Sequence, residues 1–423
     1  MKKFVIILLI ACLVLGCGIG YFSARDGESA AAPLPAAETP SGETPAPDAP
    51  SGDTPAAEDA EIAAEEPNFD LRRIDYDALQ TLYPADTVVG TCEGTDVSWD
   101  EMFYWLGAMG SQAQNQIDMM AMYGQSLRWD DKLSADSEQT YAEYVVETAE
   151  DCVRQLHTIE ALAAENGVTL SAEDEAALAE TLRADITGAC GEGAGEEEFN
   201  AYLEENYISR AMYDRMSRFE YLYKNLFAAL YGENGSAVSD ETALGYLEDG
   251  KYLCATHILF MTVDPDTRDP LDDAVVAEKK AKAEEVSAEL RAIADPAERA
   301  ARFAALKDEL CEDGGKVAYP DGYLFAPGRM VTEFEKAVAE LEEYEVSEPV
   351  LSPHGYHVIM RLPLSLEMAM HLPESGTAEN ARSAYANEQF SALCTGRYEA
   401  SVLTKTAAIE AFDLTAFLAE PQE

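Results

Sequence analysis

Two apolar, strand-like segments, each containing one histidine, enclose a long helical stretch in the second half of the chain. The first is CATHILF at 254–260 and the second is GYHVIM at 355–360. The residues between them have the periodicity of two helices, followed by a turn-rich stretch and a shorter helix. The order of these elements is therefore β-α-α-turn-α-β, with one histidine on the first strand and one on the last.

The sequence before this stretch has the pattern of a mostly helical domain. Ser98 with Glu101, and Ser171 with Asp174, have the spacing of capping boxes at the start of a helix. Beyond the helix that Ser98 begins, the periodicity predicts helices at about 140–166, 171–189 and 196–230. His157 has no metal-binding partner at helical spacing, so we interpret it as a core or surface histidine.

Six aromatic residues form a stripe along the later helices of this domain. They are Phe199, Tyr202, Tyr213, Phe219, Tyr223 and Phe227. Aromatic residues at helical spacing are typical of a core, and we interpret the stripe in this way. A stripe that stayed exposed over several hundred Å² would instead form a surface for unfolded chains.

The N-terminal segment 1–23 has the features of an export signal or a membrane anchor. Two lysines precede an apolar run from Phe4 to Leu15, as in a secretory signal. Leu15, Gly16 and Cys17 resemble a bacterial lipobox, so Cys17 is the predicted lipidation site. The alternative is a single uncleaved transmembrane helix, since the apolar run extends to Phe22. Both interpretations hold the protein at the extracytoplasmic face of a membrane.

Charge and cysteine spacing exclude several classes of partner and cofactor. Residues 24–67 are rich in Ala, Pro and acids and predict a disordered acidic linker. The chain has 29 Lys+Arg against 80 Asp+Glu, a formal net charge of -51, and this field repels the phosphates of nucleic acids. No C-x-x-C pair occurs, so the sequence contains no local zinc or iron–sulfur motif. We expect no nucleic-acid partner, no metal and no cofactor.

Three motifs follow one another in order: ATHIL at 255–259, GRMVTEFE at 328–335, and SEPV at 347–350 followed by GYHVI at 355–359. Together they resemble the parvulin family of peptidyl-prolyl cis/trans isomerases, and specifically its exported foldases of the PrsA and SurA type. The resemblance implies an α+β fold, with a parvulin domain at 251–364 in which helices surround a small antiparallel sheet. It further implies that this domain is inserted into a mostly helical SurA-N/PrsA-like chaperone domain, formed by 68–250 and completed by a C-terminal helical segment at 365–423.

The resemblance also implies a site. Met330 and Phe334 would line the proline pocket, and because they stand four apart they would share a face if both lie on one helix. His257 and His357 would face each other across adjacent strands, behind the substrate amide. Asp313 falls where family members carry a catalytic Asp or Cys, and it would tune the histidine pair without forming a covalent bond.

Two positions in the site stay open at this point. The family often has Gly-Gly-Asp-Leu-Gly before its Phe, whereas here the sequence is DGYLF at 321–325, so the third wall of the pocket is either Tyr323 or Leu324. Cys311 replaces Asp313 at the catalytic position if the loop is aligned two residues differently.

The implied activity is the rotation of Xaa-Pro bonds in unfolded or partly folded exported polypeptides. Rotation breaks amide resonance over a barrier of roughly 18–20 kcal/mol, and it requires no nucleophile, metal or cofactor. A dry pocket that grips the proline ring, with polar groups suited to the twisted amide, is sufficient. The alternative is a holdase chaperone, whose parvulin-like module has little or no turnover and whose helical domain shields clients.

Overall fold

The computed structural model describes residues 69–134, 136–370 and 380–420. The predicted signal or anchor at 1–23, with Cys17, lies outside the described residues, as does the predicted linker at 24–67. Within the described ranges, no helix has an apolar stretch long enough to cross a membrane.

Strands and helices alternate irregularly along the described chain. The strands are β1 Arg73–Ile74, β2 Val88–Cys92, β3 Thr95–Ser98, β4 Leu253–Met261, β5 Tyr323–Phe325, β6 Val350–Ser352, β7 Gly355–Leu362, β8 Thr404–Lys405 and β9 Leu418–Ala419. The helices are α1 Tyr76–Gln80, α2 Trp99–Met122, α3 Tyr141–Glu165, α4 Ala172–Cys190, α5 Glu196–Glu205, α6 Arg210–Tyr231, α7 Asp240–Asp249, α8 Asp273–Ala292, α9 Pro296–Leu310, α10 Thr332–Glu340, α11 Ala381–Ala400 and α12 Ala407–Glu410.

The chain divides into two compact units. The helical unit contains the described residues of 69–225 and 394–420, and the sheet unit contains those of 226–393. The sheet unit therefore interrupts the helical unit in sequence, and the α+β class with an inserted sheet domain is confirmed. The boundaries at 251 and 364 stay predictions. The sheet unit is wider than that range because residues on both sides of it, including Leu247 and Ala386, pack in one cluster with Leu324 of the sheet.

Two long helices of the helical unit, α3 and α4, begin where the sequence predicts. α3 has a complete capping box between Thr140 and Glu143. α4 has a complete box between Ser171 and Asp174. Side-chain caps satisfy backbone N–H groups that have no partner within the first turn, so these starts are encoded locally.

The predicted box at the start of α2 is only half formed. The side chain of Ser98 accepts the N–H of Glu101, as predicted, but the Glu101 carboxylate is buried. It lies 3.1 Å from Nε2 of His157 and 2.8 Å from Nη1 of Arg215. Two cationic or polar donors in a buried site bind a carboxylate more strongly than one backbone N–H does, so Glu101 points away from its own cap. His157, also buried, is thus the core histidine that one interpretation expected.

The single helix predicted at 196–230 is wrong. The chain leaves the helical conformation after α5 and re-enters it at α6, with Tyr207 in the left-handed region at φ 59°. Tertiary contacts hold this break, since the Tyr207 ring lies 5.4 Å from that of Tyr76 and its hydroxyl donates to Asp77 at 3.1 Å. Phe199, Tyr213 and Phe219 are buried, as expected for a core stripe.

The C-terminal segment is also less helical than predicted. α11 ends at Ala400, after which β8 pairs antiparallel with β2 and β9 pairs antiparallel with β1. The end of the chain therefore completes two small sheets of the helical unit in addition to contributing a helix.

The sheet unit is built around the pairing of β4 with β7. Its four strands lie in the order β5-β4-β7-β6, and every neighbouring pair is antiparallel. α8 and α9 cover one face, where Phe303 and Leu290 pack against Ile258 and Val358. Side chains alternate between the two faces of a sheet, so the histidines of β4 and β7 emerge on the opposite face, toward α10.

We predict that Glu101→Gln destabilises the helical unit by about 2–4 kcal/mol, because it removes the buried charge shared by His157 and Arg215. Urea unfolding followed by tryptophan emission measures this change, since Trp99, Trp105 and Trp129, the protein's 3 tryptophans, all lie in the helical unit.

The matched control is Glu175→Gln, which breaks the exposed ion pair with Arg218. Exposed pairs contribute about 0.2–1 kcal/mol, so the control should unfold close to the wild type. Equal shifts in the two variants would contradict a special role for the buried carboxylate.

Candidate active site

The two histidines of the sheet unit meet on one face of the sheet. His257 pairs with Ile359 across β4 and β7, and Leu259 pairs with His357, so the histidines are diagonal neighbours. Their Nδ1 atoms lie 3.1 Å apart and their ring centroids 5.0 Å apart. The side chains are nearly inaccessible, at 7% and 3% exposed respectively. The pair predicted from two separate strands is therefore a direct hydrogen bond.

Asp313 extends this pair on the His257 side. It precedes a short 3-10 segment after α9, and its Oδ1 accepts the N–H of Gly315 at 2.9 Å. Its Oδ2 accepts from Nε2 of His257 at 2.9 Å and from the Tyr323 hydroxyl at 2.5 Å. Burial alone raises the pKa of the Asp313 carboxyl, but these three donors outweigh burial and hold the pKa well below its usual range. Asp313 is therefore ionised and saturated with donors.

Ser352 extends the pair on the His357 side, and the sequence did not predict it. Its Oγ lies 2.7 Å from Nε2 of His357 and accepts the backbone N–H of His354 at 3.1 Å. Ser352 lies at the end of β6, next to the hairpin that leads into the histidine strand. The sequence signal that could have indicated this role is a serine separated from a strand histidine by one short hairpin.

The hydrogen bonds fix the tautomer of each imidazole. Because the ionised Asp313 can only accept, Nε2 of His257 carries a proton, and in the neutral ring its Nδ1 is therefore an acceptor. Nδ1 of His357 must then donate to it, which leaves Nε2 of His357 to accept from the Ser352 hydroxyl. Burial, followed by the neighbouring His257, lowers the pKa of His357 to about 3, so that ring is neutral at physiological pH. All four imidazole nitrogens are engaged within the protein.

An apolar cluster lies against the histidine pair. The Phe334 ring of α10, 2% exposed, stands 5.2 Å from the ring of His257 and 5.6 Å from that of His357. Phe325 of β5 is buried 6.0 Å from Phe334, and half-buried Met330 packs on the same cluster. Phe325 was not predicted as a site residue. An apolar surface beside a closed set of polar groups suits a neutral ring and its amide better than a charged substrate.

The comparison with protein families agrees with this geometry. Residues 257–362 match the family described as the PPIC-type PPIase domain, or rotamase. That range contains the histidine pair, Asp313 and the apolar cluster. Residues 257–362 form a PPIC-type PPIase domain. The resemblance to the parvulin isomerases is thus confirmed.

Curated relatives of the chain are foldases. It is 47% identical over 58 residues to foldase protein PrsA 3 of Bacillus anthracis, and this match covers 14% of this chain and 20% of that protein. It is 30% identical over 145 residues to foldase protein PrsA of Halalkalibacterium halodurans, and this match covers 33% of this chain and 37% of that protein. The chain therefore matches between a fifth and two fifths of the length of these relatives.

Solved structures similar to the chain include a PrsA and SurA-like chaperones. The crystal structure of PrsA from Bacillus subtilis has 20% sequence identity and a TM-score of 0.24, and the match covers 64% of this chain and 91% of that one. A structure of the SurA-like chaperones PEB4 and Cj1289 of Campylobacter jejuni has 16% identity and a TM-score of 0.23, with 55% and 81% covered.

Two predicted details of the PPIC-type domain are wrong. Leu324, proposed as a pocket wall, points to the opposite face of the sheet and packs with Cys254 and Met370, because side chains alternate along β5. Met330 does not share a helical face with Phe334, since α10 begins only at Thr332. Met330 reaches the apolar cluster from the preceding loop instead.

The two alternatives left open by the sequence are separated by geometry. Tyr323 lies on the histidine face of the domain, buried against the apolar cluster, whereas Leu324 does not. The Cys311 thiol lies 3.4 Å from the backbone N of Leu259 and contacts the strand rather than an imidazole nitrogen. Burial raises the pKa of the Cys311 thiol, so it is a packed thiol in the helix-covered core, and Asp313 is the residue bonded to His257.

We predict that the stability of the PPIC-type domain falls as the pH is lowered from 6.5 to 4.5. His357 binds a proton in the unfolded chain near its ordinary pKa of 6.5 but in the folded domain only near pH 3, so between these values the unfolded state binds more protons. The loss should be about 2 kcal/mol relative to His357→Gln.

Native-state hydrogen exchange of the backbone amides of β4 and β7 measures this difference. His357→Gln is the control for all other titrating groups, because the substitution removes only the imidazole. An identical pH dependence in the wild type and His357→Gln would show that the buried imidazole is not the titrating group.

Proposed function

We propose that the protein is a peptidyl-prolyl cis/trans isomerase and foldase that acts on exported polypeptides. The observation that carries the proposal is the convergence of Phe334 and Met330 with the hydrogen-bonded set of Asp313, His257 and His357. The match to the PPIC-type PPIase family and the foldase names of the relatives support it. Prolyl isomerisation takes tens of seconds without a catalyst, so its acceleration helps folding after export.

The proposed mechanism is non-covalent. The proline ring binds against Phe334 and Met330, which leaves the carbonyl side of the peptide bond free to turn. Amide resonance places negative charge on the carbonyl oxygen and gives the C–N bond its double-bond character. The anionic Asp313 next to His257 opposes that build-up of charge and so weakens the double bond.

The histidines contribute by position rather than by proton transfer. Each ring nitrogen of His257 and His357 already has a partner, so neither ring offers a free base or acid to the substrate without breaking the set. The fixed dipoles are suited to a twisted amide, and they need no reorganisation while the bond turns.

A protease-coupled assay on Xaa-Pro peptides tests the isomerase activity of the full-length protein. We expect kcat/KM to fall at least about tenfold in His257→Ala, which breaks the set, and in Phe334→Ala, which removes the ring that binds proline.

The matched control for Phe334→Ala is Val338→Ala, one turn further along α10. Val338 is buried in the same apolar cluster, so its truncation also removes core packing but leaves the ring next to the histidines in place. We expect Val338→Ala to keep most of the activity. Equal rates for the wild type, His257→Ala and Phe334→Ala would reject the isomerase assignment.

The proposed location is the extracytoplasmic face of the cell membrane. It rests on the charged and apolar pattern of 1–23, with Cys17 lipidated or the apolar run retained as a helix. The mass of the mature N-terminus distinguishes the two, because lipidation follows cleavage before Cys17.

A holdase activity is the second proposal, and an exposed apolar tip favours it. Met119, Met122 and Tyr123 at the end of α2 are 51%, 86% and 78% exposed. Methionine side chains adapt to apolar partners of varied shape, which suits the binding of unfolded chains. In this alternative the helical unit shields clients, and the PPIC-type domain has little or no turnover.

We predict that Met122→Ser/Tyr123→Ser weakens the suppression of client aggregation by about twofold or more, since it removes most of the exposed tip. Light scattering of a denatured client protein measures it. Leu71→Ser/Val402→Ser, which changes two exposed apolar residues elsewhere in the same unit, is the control. Equal suppression by both double variants would dismiss the tip as a client surface.

A further inference from the structure

The hydroxyl of Tyr323 is buried beside the catalytic set and bonds to one partner in it. Tyr323 Oη donates to Oδ2 of Asp313 at 2.5 Å, the same oxygen that accepts from His257. The Tyr323 ring also lies 5.6 Å from the ring of His257 in an edge contact and 5.0 Å from that of Tyr319. Burial and the adjacent Asp313 raise the pKa of the Tyr323 phenol, so the hydroxyl remains a donor at all physiological pH values.

The backbone of Gly315 lies close to that hydroxyl. A Cβ atom added to Gly315 would overlap Tyr323 Oη, whereas one added to Gly314 would meet no atom within 4 Å. The backbone N–H of Gly315 donates to Asp313 from the same place. The hydroxyl and the carboxylate therefore meet next to the backbone of Gly315.

The segment that leads into Tyr323 is held from two further directions. The buried ammonium of Lys307 donates to the carbonyl of Pro320 at 2.7 Å. Gly322 has φ 120°, and a Cβ atom there would lie 2.6 Å from the carbonyl oxygen of Ala255 on β4. The chain thus passes close to the histidine strand immediately before the tyrosine, so the direction of its side chain is fixed by backbone.

We infer that Tyr323 is a positioning residue of the isomerase, whose hydroxyl holds the Asp313 carboxylate in place and through it sets the tautomer of His257. The inference rests on the proposed function and goes beyond the sequence prediction of Tyr323 as an apolar wall of the proline pocket. With the hydroxyl in place, Oδ2 has two donors and Oδ1 has one, so the carboxylate can neither rotate nor take up a proton readily.

A pocket wall and a positioning residue use different parts of the Tyr323 side chain. A wall requires only the ring, so Tyr323→Phe would leave peptide binding and turnover unchanged. A positioning role requires the hydroxyl, so the same variant would loosen Asp313 and leave the apolar surface for proline intact.

Two measurements on full-length Tyr323→Phe test the inference. We expect kcat/KM to fall roughly tenfold through kcat with KM little changed, because one hydrogen bond to a charged group is lost. The second measurement is the tautomer of His257, because Asp313 is held less firmly with two donors than with three.

Gly315 and Gly314 supply a matched pair of variants. Gly315→Ala should displace the hydroxyl and reproduce the effects of Tyr323→Phe, whereas Gly314→Ala should behave as the wild type. In the Tyr323→Phe background, Gly315→Ala should add less than about twofold, because the atom it displaces is gone. A full additional loss in the double variant would mean that Gly315 acts on Asp313 directly.

Histidine NMR separates failure of this inference from failure of the proposed function. The protein has 5 histidines, and the nitrogen shifts of labelled imidazoles report which ring nitrogen carries the proton. In the wild type His257 should carry it on Nε2, and Tyr323→Phe should mix the tautomers. Unchanged tautomers and an unchanged kcat overturn the inference. A wild type without isomerase activity but with the tautomer shift would reject the proposed function and leave the positioning role standing.

Discussion

The antiparallel pairing of β4 with β7 is the constraint on which the site depends. Their register runs without a break from Cys254 opposite Leu362 to Met261 opposite Gly355. This register brings together two histidines that lie far apart in sequence, and a shift by one residue would send one of them to the helix-covered face. At the end of the pairing Gly355 has φ 146°, and a side chain there would overlap the carbonyl oxygen of Phe260. Glycine therefore permits the close approach that begins the register.

The parts of the site predicted from sequence are those encoded by strong local patterns. Apolar runs identified β4 and β7, and the resemblance to the parvulins supplied Asp313, Met330 and Phe334. Leu324 was misplaced because β5 has only three residues, too few for alternation to show which of them face the histidines. Ser352 was missed because its role depends on the register of a hairpin, which the sequence does not display.

The helical unit shows the same division between local and tertiary information. Thr140 and Ser171 begin their helices as predicted, since a cap involves only residues within one turn. The break near Tyr207 and the direction of Glu101 depend on partners distant in sequence, namely Asp77 and His157. Propensity is a weak prior where tertiary contacts compete with it, so neither feature was accessible from the pattern of side chains alone.

The hydrogen-bonded set of the PPIC-type domain ends at a backbone amide in two places. The N–H of Gly315 ends it at Asp313, and the N–H of His354 ends it at Ser352. Peptide amides do not ionise in water near neutral pH, so neither of these two ends can pass a proton to the solvent. The direction of the dipoles in the set is therefore established when the chain folds, without a proton entering or leaving at either amide.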